Sequence, residues 1–365
     1  MKKHLTRMLS ALAIIALGAT MLAGCQKEEE TVSEPVSEVV SDVEEPVVEI
    51  DTHEGEAKSY LSGEWIDEDI ANQRPFAVMY GNTNESGVLP QSGIGSADII
   101  YEVTVEGGIT RLMALFQDYA KIEKIESVRS CRLYFLEFAS EYDAFYGHWG
   151  QSKYAKSALS AYEDLDGMSS TLYGLMYFRD SAKSAPHNGY TTGEGIVSGI
   201  EAMGYEKYHD SDYEGHFTFA EDDDENTLSD GEDAGYIMSG YSVNKPWFEY
   251  DETSGLYMRY QFGSAQTDAL TSEQLGFKNI IFEYINEGYM DSKTLNIPTN
   301  GSGNGKFFTN GKMIDITWSK ETTSSVTHYY EADGDEITLN QGKTWICVID
   351  SSKTGNVVIK DSTQE

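Results

Sequence analysis

Hydrophobic and polar residues alternate along residues 99–106, with Tyr101, Val103 and Val105 on one face and Glu102, Thr104 and Glu106 on the other. That period of two predicts a half-buried strand. Gly107-Gly108 turns the chain into the apolar run 109–116. The two segments are expected to pair as a hairpin, with Glu106 and Arg111 close together near the turn. Upstream, Pro75-Phe76-Ala77-Val78-Met79-Tyr80 reads as a further strand closed by Gly81-Asn82, and the first folded block is expected to open at about Gln73. Downstream, Ser130 is a candidate cap for a helix over 131–140, with Leu133, Leu136 and Phe138 supplying apolar surface. Residues 143–147 return as a short strand, and Ser152 is placed to cap a helix over 153–162. Thr191-Thr192-Gly193-Glu194 is a capping box that should open a helix reaching about Ala202. Strands alternating with helices predict a mixed α/β domain over residues 71–220.

The pattern changes at the acidic stretch 221–240, expected as a linker or loop. Asp222, Asp224, Asn226 and Asp233 fall at offsets reminiscent of a calcium loop. Thr227 stands where the tight turn requires glycine, and Asp233 where a bidentate Glu is needed, so no metal site is expected. Residues 241–355 read as a strand-rich C-terminal domain. Runs 247–250 and 256–262 flank one turn, 279–285 adds another strand, and 344–349 closes the domain. Asn310-Gly311, between apolar runs, is the strongest hairpin signal in the chain. Residues 299–305, rich in Gly, Ser and Asn, are expected as a flexible loop; Gly301, Gly303 and Gly305 lack the flanking strand and helix of a nucleotide-binding fingerprint. The fold class expected is therefore α+β: a mixed α/β domain followed by a strand-rich one.

The N-terminus alters the picture. Lys2, Lys3 and Arg7 precede a mostly apolar run, 9–23, shorter than the ~20 residues a membrane-spanning helix needs. It ends in Leu22-Ala23-Gly24-Cys25, so residues 1–24 are expected as an export signal and Cys25 as the lipidated first residue. From Glu28 to Glu56 there are twelve Asp and Glu and no Lys or Arg, with Pro35 and Pro46 interrupting. Residues 25–70 are expected as an acidic disordered tether holding the folded part away from the extracytoplasmic face of the cell membrane.

Charge narrows the partners. The chain carries 26 Lys plus Arg against 61 Asp plus Glu, a net −35, falling to about −38 without the signal. That balance argues against nucleic acid and against adhesion to anionic lipid other than through the covalent anchor. Cys131 and Cys347 are expected as buried free thiols rather than a disulfide. No cofactor is expected, because ATP, NAD and reduced thiols are poor partners outside the cytoplasm.

In so acidic a chain the arginines need an explanation. Arg111, Arg129 and Arg132, the pair His148-Trp149, and Arg179 with His187-Asn188 fall at element ends of the first domain. Guanidinium forks beside a helix start suit a carboxylate or phosphate, and Trp149 could offer a stacking face. Each has a plainer role open to it: Arg111 paired with Glu102 or Glu106, Arg129 and Arg132 tied to neighbouring acids, Trp149 filling the core, His148 hydrogen-bonded in place. The leading expectation is a binding module for an anionic cell-envelope ligand such as a peptidoglycan fragment. The alternatives are a cell-wall hydrolase using Glu102, Glu106 or His148 as acid or base, and an accessory module binding an envelope protein. No Gly-x-Ser-x-Gly, HExxH or adjacent Cys-His arrangement is present, so no nucleophile stands out.

Several segments together resemble a known family. Arg74-Pro75-Phe76-Ala77-Val78-Met79, Ala97-Asp98-Ile99-Ile100-Tyr101-Glu102, Val105-Glu106-Gly107-Gly108-Ile109-Thr110-Arg111, Val128-Arg129-Ser130-Cys131-Arg132 and Ala185-Pro186-His187-Asn188 resemble the YerB-like bacterial lipoproteins. So do Thr317-Trp318-Ser319-Lys320 and Gly342-Lys343-Thr344-Trp345 in the second half. The resemblance covers about Gln73 to Ile349. It implies a two-domain lipoprotein of monoderm bacteria and no settled activity.

Overall fold

Phe76–Asn82 is buried at every position, as a strand covered on both faces must be. The computed structural model describes residues 53–362; the expected signal, Cys25 and the tether as far as residue 52 lie outside them. In chain order the main elements are β1 (Phe76–Asn82), β2 (Ile99–Thr104), β3 (Thr110–Phe116), α1 (Leu133–Ser140), β4 (Phe145–His148), α2 (Lys153–Ala158), β5 (Asp164–Asp166) and α3 (Gly193–Met203). There follow β6 (Trp247–Asp251), β7 (Leu256–Gln261), β8 (Asn279–Ile285), β9 (Gly301–Thr309), β10 (Lys312–Lys320) and β11 (Thr344–Asp350).

An eleven-stranded sheet forms the centre, running β10-β9-β8-β11-β2-β3-β1-β4-β5 with two short strands on β10. It takes strands from both parts of the chain: β11 lies between β8 and β2, parallel to each, with Thr344 opposite Ile99. The β2–β3 hairpin and the Asn310-Gly311 hairpin form as expected. A six-stranded sheet containing β6 and β7 covers one face with α3; Val78, Ile100 and Leu112 meet Ile196, Phe248 and Trp345 there. On the other face α1 packs Phe135 and Phe138 against Tyr101, Ile281 and Ile346. Eight residues are too few for a stable free helix. Burial of such side chains, each worth ~1.5–3 kcal/mol, holds α1 in place. The architecture is strand-rich α+β.

Several expectations need correction. Residues 53–70 are folded rather than tether: Glu56–Lys58 pairs with Trp65–Asp67, Leu61 is buried, and Trp65 donates to Asp222 Oδ2 at 2.8 Å. The charge count concealed the aromatic and aliphatic side chains that supply this burial. Ser130 does not cap α1, which begins at Leu133 with Arg132 in the capping position; Ser130 Oγ donates instead to Trp149 O. Ser152 does cap α2, and Thr192 rather than Thr191 caps α3, because the Thr191 hydroxyl is used on Met176 O. Residues 301–305 are strand, paired with 316–320, not a flexible loop. Glycine is required there for close approach: a Cβ on Gly305 would lie 2.4 Å from Phe282 O. The acidic stretch 221–240 is fastened by Glu232–Asp233 on β10 and by Asn226 against Asn340. Cys131 and Cys347 are buried free thiols.

Candidate functional site

Strands β1, β2, β4, β5, β8 and β11 all point the same way, so their carboxyl ends share one edge of the sheet. Ligands in α/β sheets gather at such an edge where neighbouring strands separate. Here β1 and β4 separate after Val78 and Gly147, and the segment 127–131 occupies the gap. Arg129 N donates to Met79 O at 2.8 Å, Trp149 N to Arg129 O at 2.9 Å, and Cys131 N to Gly150 O at 2.9 Å. The local hydrogen bonding thus brings Arg129 and Arg132 onto the same edge as Arg111, which opens β3.

The three arginines feel one another. Burial, then the charges of Arg132 and Arg129, pulls Arg111 down to about 10. Burial also lowers Arg129, where Glu85 opposes the fall and Arg132 adds to it. Arg132 makes a two-pronged ion pair with Glu106, Nε and Nη2 lying 2.9 and 2.8 Å from Oε2. Burial pushes Glu106 up, but the hydrogen bonds and charge of Arg132 outweigh it and leave the carboxyl below its usual range. Arg111 donates to Ser130 O at 2.8 Å, and Arg129 to Pro186 O at 3.0 Å with His187 Nδ1 at 3.4 Å. Burial and Arg129 depress His187, so it is neutral near pH 7 and adds no charge; its Nε2 faces Glu85 at 3.0 Å.

Among the described residues Arg74, Arg132 and Arg259 have carboxylates within ion-pairing distance. Arg111, Arg129 and Arg179 have none. In a chain with 61 acidic residues, Arg111 and Arg129 are thus partly buried with no carboxylate at ion-pairing distance, and feel Glu106 and Glu85 only from farther away. Arg179 is occupied otherwise: it donates to Asn188 Oδ1 at 2.9 Å and lies 4.0 Å over the Trp149 ring.

The remaining expected residues have other duties. Trp149 has no free stacking face, because Arg179 lies over its ring and Gly167 and Gly189 press on it: a Cβ on either would fall 2.7 or 2.6 Å away. Gly189→Ala should therefore cost ~1–3 kcal/mol by overpacking, read as a lower midpoint in urea denaturation. His148 is fully buried, with Nδ1 at 2.9 Å from Gly150 O and Nε2 at 3.1 Å from Asp164 Oδ2. Glu102 is also fully buried. It accepts from Arg259 at 2.6 Å, Asn244 at 2.7 Å and Thr110 at 2.9 Å, so it is not paired with Arg111 and has no face open to solvent. Arg259 and Asn244 were missed by the sequence reading, although alternation along 256–261 places Arg259 on the same face as Tyr257 and so inward. Among the described residues no group of three or more His, Cys, Asp or Glu gathers as metal ligands, and no helix is long and apolar enough to cross a membrane.

The sequence matches a family described in two parts. Residues 61–206 match the family model "Protein of unknown function (DUF3048) N-terminal domain", and residues 237–346 match its "C-terminal domain" counterpart. The chain belongs to that family. It is 28% identical over 299 residues to "Putative lipoprotein YerB" of Bacillus subtilis (strain 168), covering 80% of this chain and 86% of that protein. The crystal structure of the YerB protein from Bacillus subtilis superposes with a TM-score of 0.72 at 26% identity, over 83% of this chain and 99% of that one. The arginine cluster lies in the N-terminal match, while Arg259, which grips Glu102, lies in the C-terminal one.

Proposed function

We propose that this chain is a lipid-anchored extracytoplasmic protein that binds an anionic group of a cell-envelope ligand between Arg111 and Arg129. The observation that carries the reading is the pair of partly buried guanidiniums without a carboxylate partner in a strongly acidic chain. The signal ending at Cys25 and the lipoprotein name of the Bacillus relative support the anchor and its location. Hydrolysis is less well supported, since Glu102 and His148 are enclosed and Glu106 is held by Arg132. Titrating the full chain in detergent with muropeptides and with inorganic phosphate tests the proposal. Arg129→Gln should weaken binding ~10-fold or more, because a hydrogen bond to a charged group contributes ~1.5–3 kcal/mol. Unchanged affinity in that variant would overturn it.

A further inference from the structure

Arg132 belongs to two neighbourhoods. One side of it meets Glu106 in the arginine cluster; the other lines a cleft of 190 Å³ between α1, α2 and the segment 294–300. The anion seat and the cleft are therefore adjacent parts of one surface. The volume lies below the ~300–1,000 Å³ that drug-sized ligands occupy, which leaves room for a single ring rather than a peptide or an acyl chain.

The wall of the cleft is uncharged apart from Arg132 and Glu137, and it is chemically mixed. Leu133, Leu295 and Pro298 give apolar faces, while Asn296, Asn300 and Thr323 bring amides and a hydroxyl. Other polar groups of the wall are committed to the protein. Tyr134 Oη donates to Thr104 O at 3.0 Å, Tyr154 Oη to Asp291 at 3.1 Å, and Thr299 Oγ1 to Glu137 at 2.5 Å. The side chains of Asn296, Asn300 and Thr323 have no such partner among the described residues. Apolar patches interleaved with uncommitted neutral donors and acceptors suit a sugar ring, which presents C–H faces and hydroxyl edges together.

The charge on the adjoining seat refines this. Glu106 is paired with Arg132, its charge acting on Arg111 less strongly than those of Arg132 and Arg129, and Glu85 sits on the solvent-exposed rim, where water and salt weaken it. Arg111 and Arg129 remain, and two neighbouring guanidiniums match a dianionic phosphate monoester better than a lone carboxylate.

Building on the anion-binding reading, we infer that the ligand is a phosphorylated sugar, with its phosphate between Arg111 and Arg129 and its ring in the cleft beside Arg132. The test is calorimetric titration of the full chain in detergent with inorganic phosphate and with N-acetylglucosamine 1-phosphate. The sugar phosphate should bind ~10-fold or more tightly than phosphate, the yield of one or two added hydrogen bonds and the apolar contact. Thr323→Trp, on an exposed loop at the cleft mouth, should erase that preference and leave phosphate binding unchanged. Asn300→Trp repeats the test from another wall. Equal affinities in the native protein, or a preference that survives both tryptophans, would overturn the sugar site while the anion seat stood. Failure of both probes to bind would overturn the two readings together.

Discussion

Arg259→Met is expected to destabilise the protein by ~3–5 kcal/mol, the penalty for leaving one charge of a buried ion pair without its partner. Arg259 and Glu102 are both fully buried and 2.6 Å apart. The guanidinium packs against the rings of Phe248 and Trp345, 4.7 and 4.5 Å away, which meet edge to face beside it, so the carboxylate's surroundings are largely apolar on that side. Asn82, Thr110 and Asn244 would still donate to Glu102, but three neutral donors do not cancel a full charge in that environment. The pair also joins β7 to β2, one from each part of the family match. Loss of Arg259 should therefore lower the urea midpoint of the whole molecule in one transition rather than melt the C-terminal part alone. Adding Glu102→Gln to Arg259→Met should recover part of the loss, because the orphaned charge is then gone. A single variant within ~1 kcal/mol of the native protein, or a double variant no better than the single one, would show that the pair is not what holds the two parts together.

Elements with a strong local signal were legible in the sequence. The β2–β3 hairpin follows from alternation around Gly107-Gly108, the β9–β10 hairpin from Asn310-Gly311, the cap of α2 from Ser152, and the start of α3 from the threonine pair, though one residue off at the cap itself. What was not legible depends on partners far away along the chain. Residues 301–305 look like a flexible loop by composition and become a strand because β10 supplies hydrogen bonds that no local pattern announces. Residues 53–70 look like tether until Trp65 meets Asp222, 157 positions on. The arginine cluster was half legible. Guanidiniums in an acidic chain marked Arg111, Arg129 and Arg132, and the structure brings these three to one edge. Only coordinates could separate Arg132, which is paired, from Arg111 and Arg129, which are not. Glu102 and His148 looked equally chemical in sequence and are enclosed, since period-two alternation says which residues share a face but not what covers that face.

A second large effect should appear as a pH dependence of stability, and its source is a buried cluster under the far end of α1. Lys320 donates to Glu141 at 2.5 Å, and Thr327 N donates to the other oxygen of the same carboxylate at 2.9 Å. Tyr329 donates to Glu283 Oε2 at 3.0 Å, while Glu283 Oε1 has no partner. His216 Nε2 donates to Thr327 O at 2.8 Å, and its Nδ1 has none. Burial, then the negative charge of Glu141, pushes Glu283 up to about 8; burial pulls His216 down to about 3. Both are therefore neutral at pH 7 in the folded chain, and the 3.5 Å approach of His216 to Glu141 is not an ion pair there. In the unfolded chain Glu283 ionises near ~4.3 and His216 near ~6.5. The raised Glu283 stabilises fully below ~4.3, and that contribution is lost as pH climbs to about 8, at ~1.4 kcal/mol per pH unit. The depressed His216 acts in the opposite sense, its contribution present above ~6.5 and lost as pH falls toward about 3. Burial raises Asp98 to about 6 as well, which adds a decline below that pH but none above it. Between pH 6.5 and 8, then, Glu283 alone among these three sets the slope. Glu283→Gln keeps a neutral acceptor for Tyr329, so the variant should gain on the native protein by ~1.4 kcal/mol per pH unit across that window and level off above it. Subtracting urea denaturation curves of the two proteins at each pH removes Asp98, Glu141 and His216, which titrate in both. A difference that stays flat from pH 6 to 9 would mean that Glu283 is already ionised in the fold, with Lys320 shared between two carboxylates.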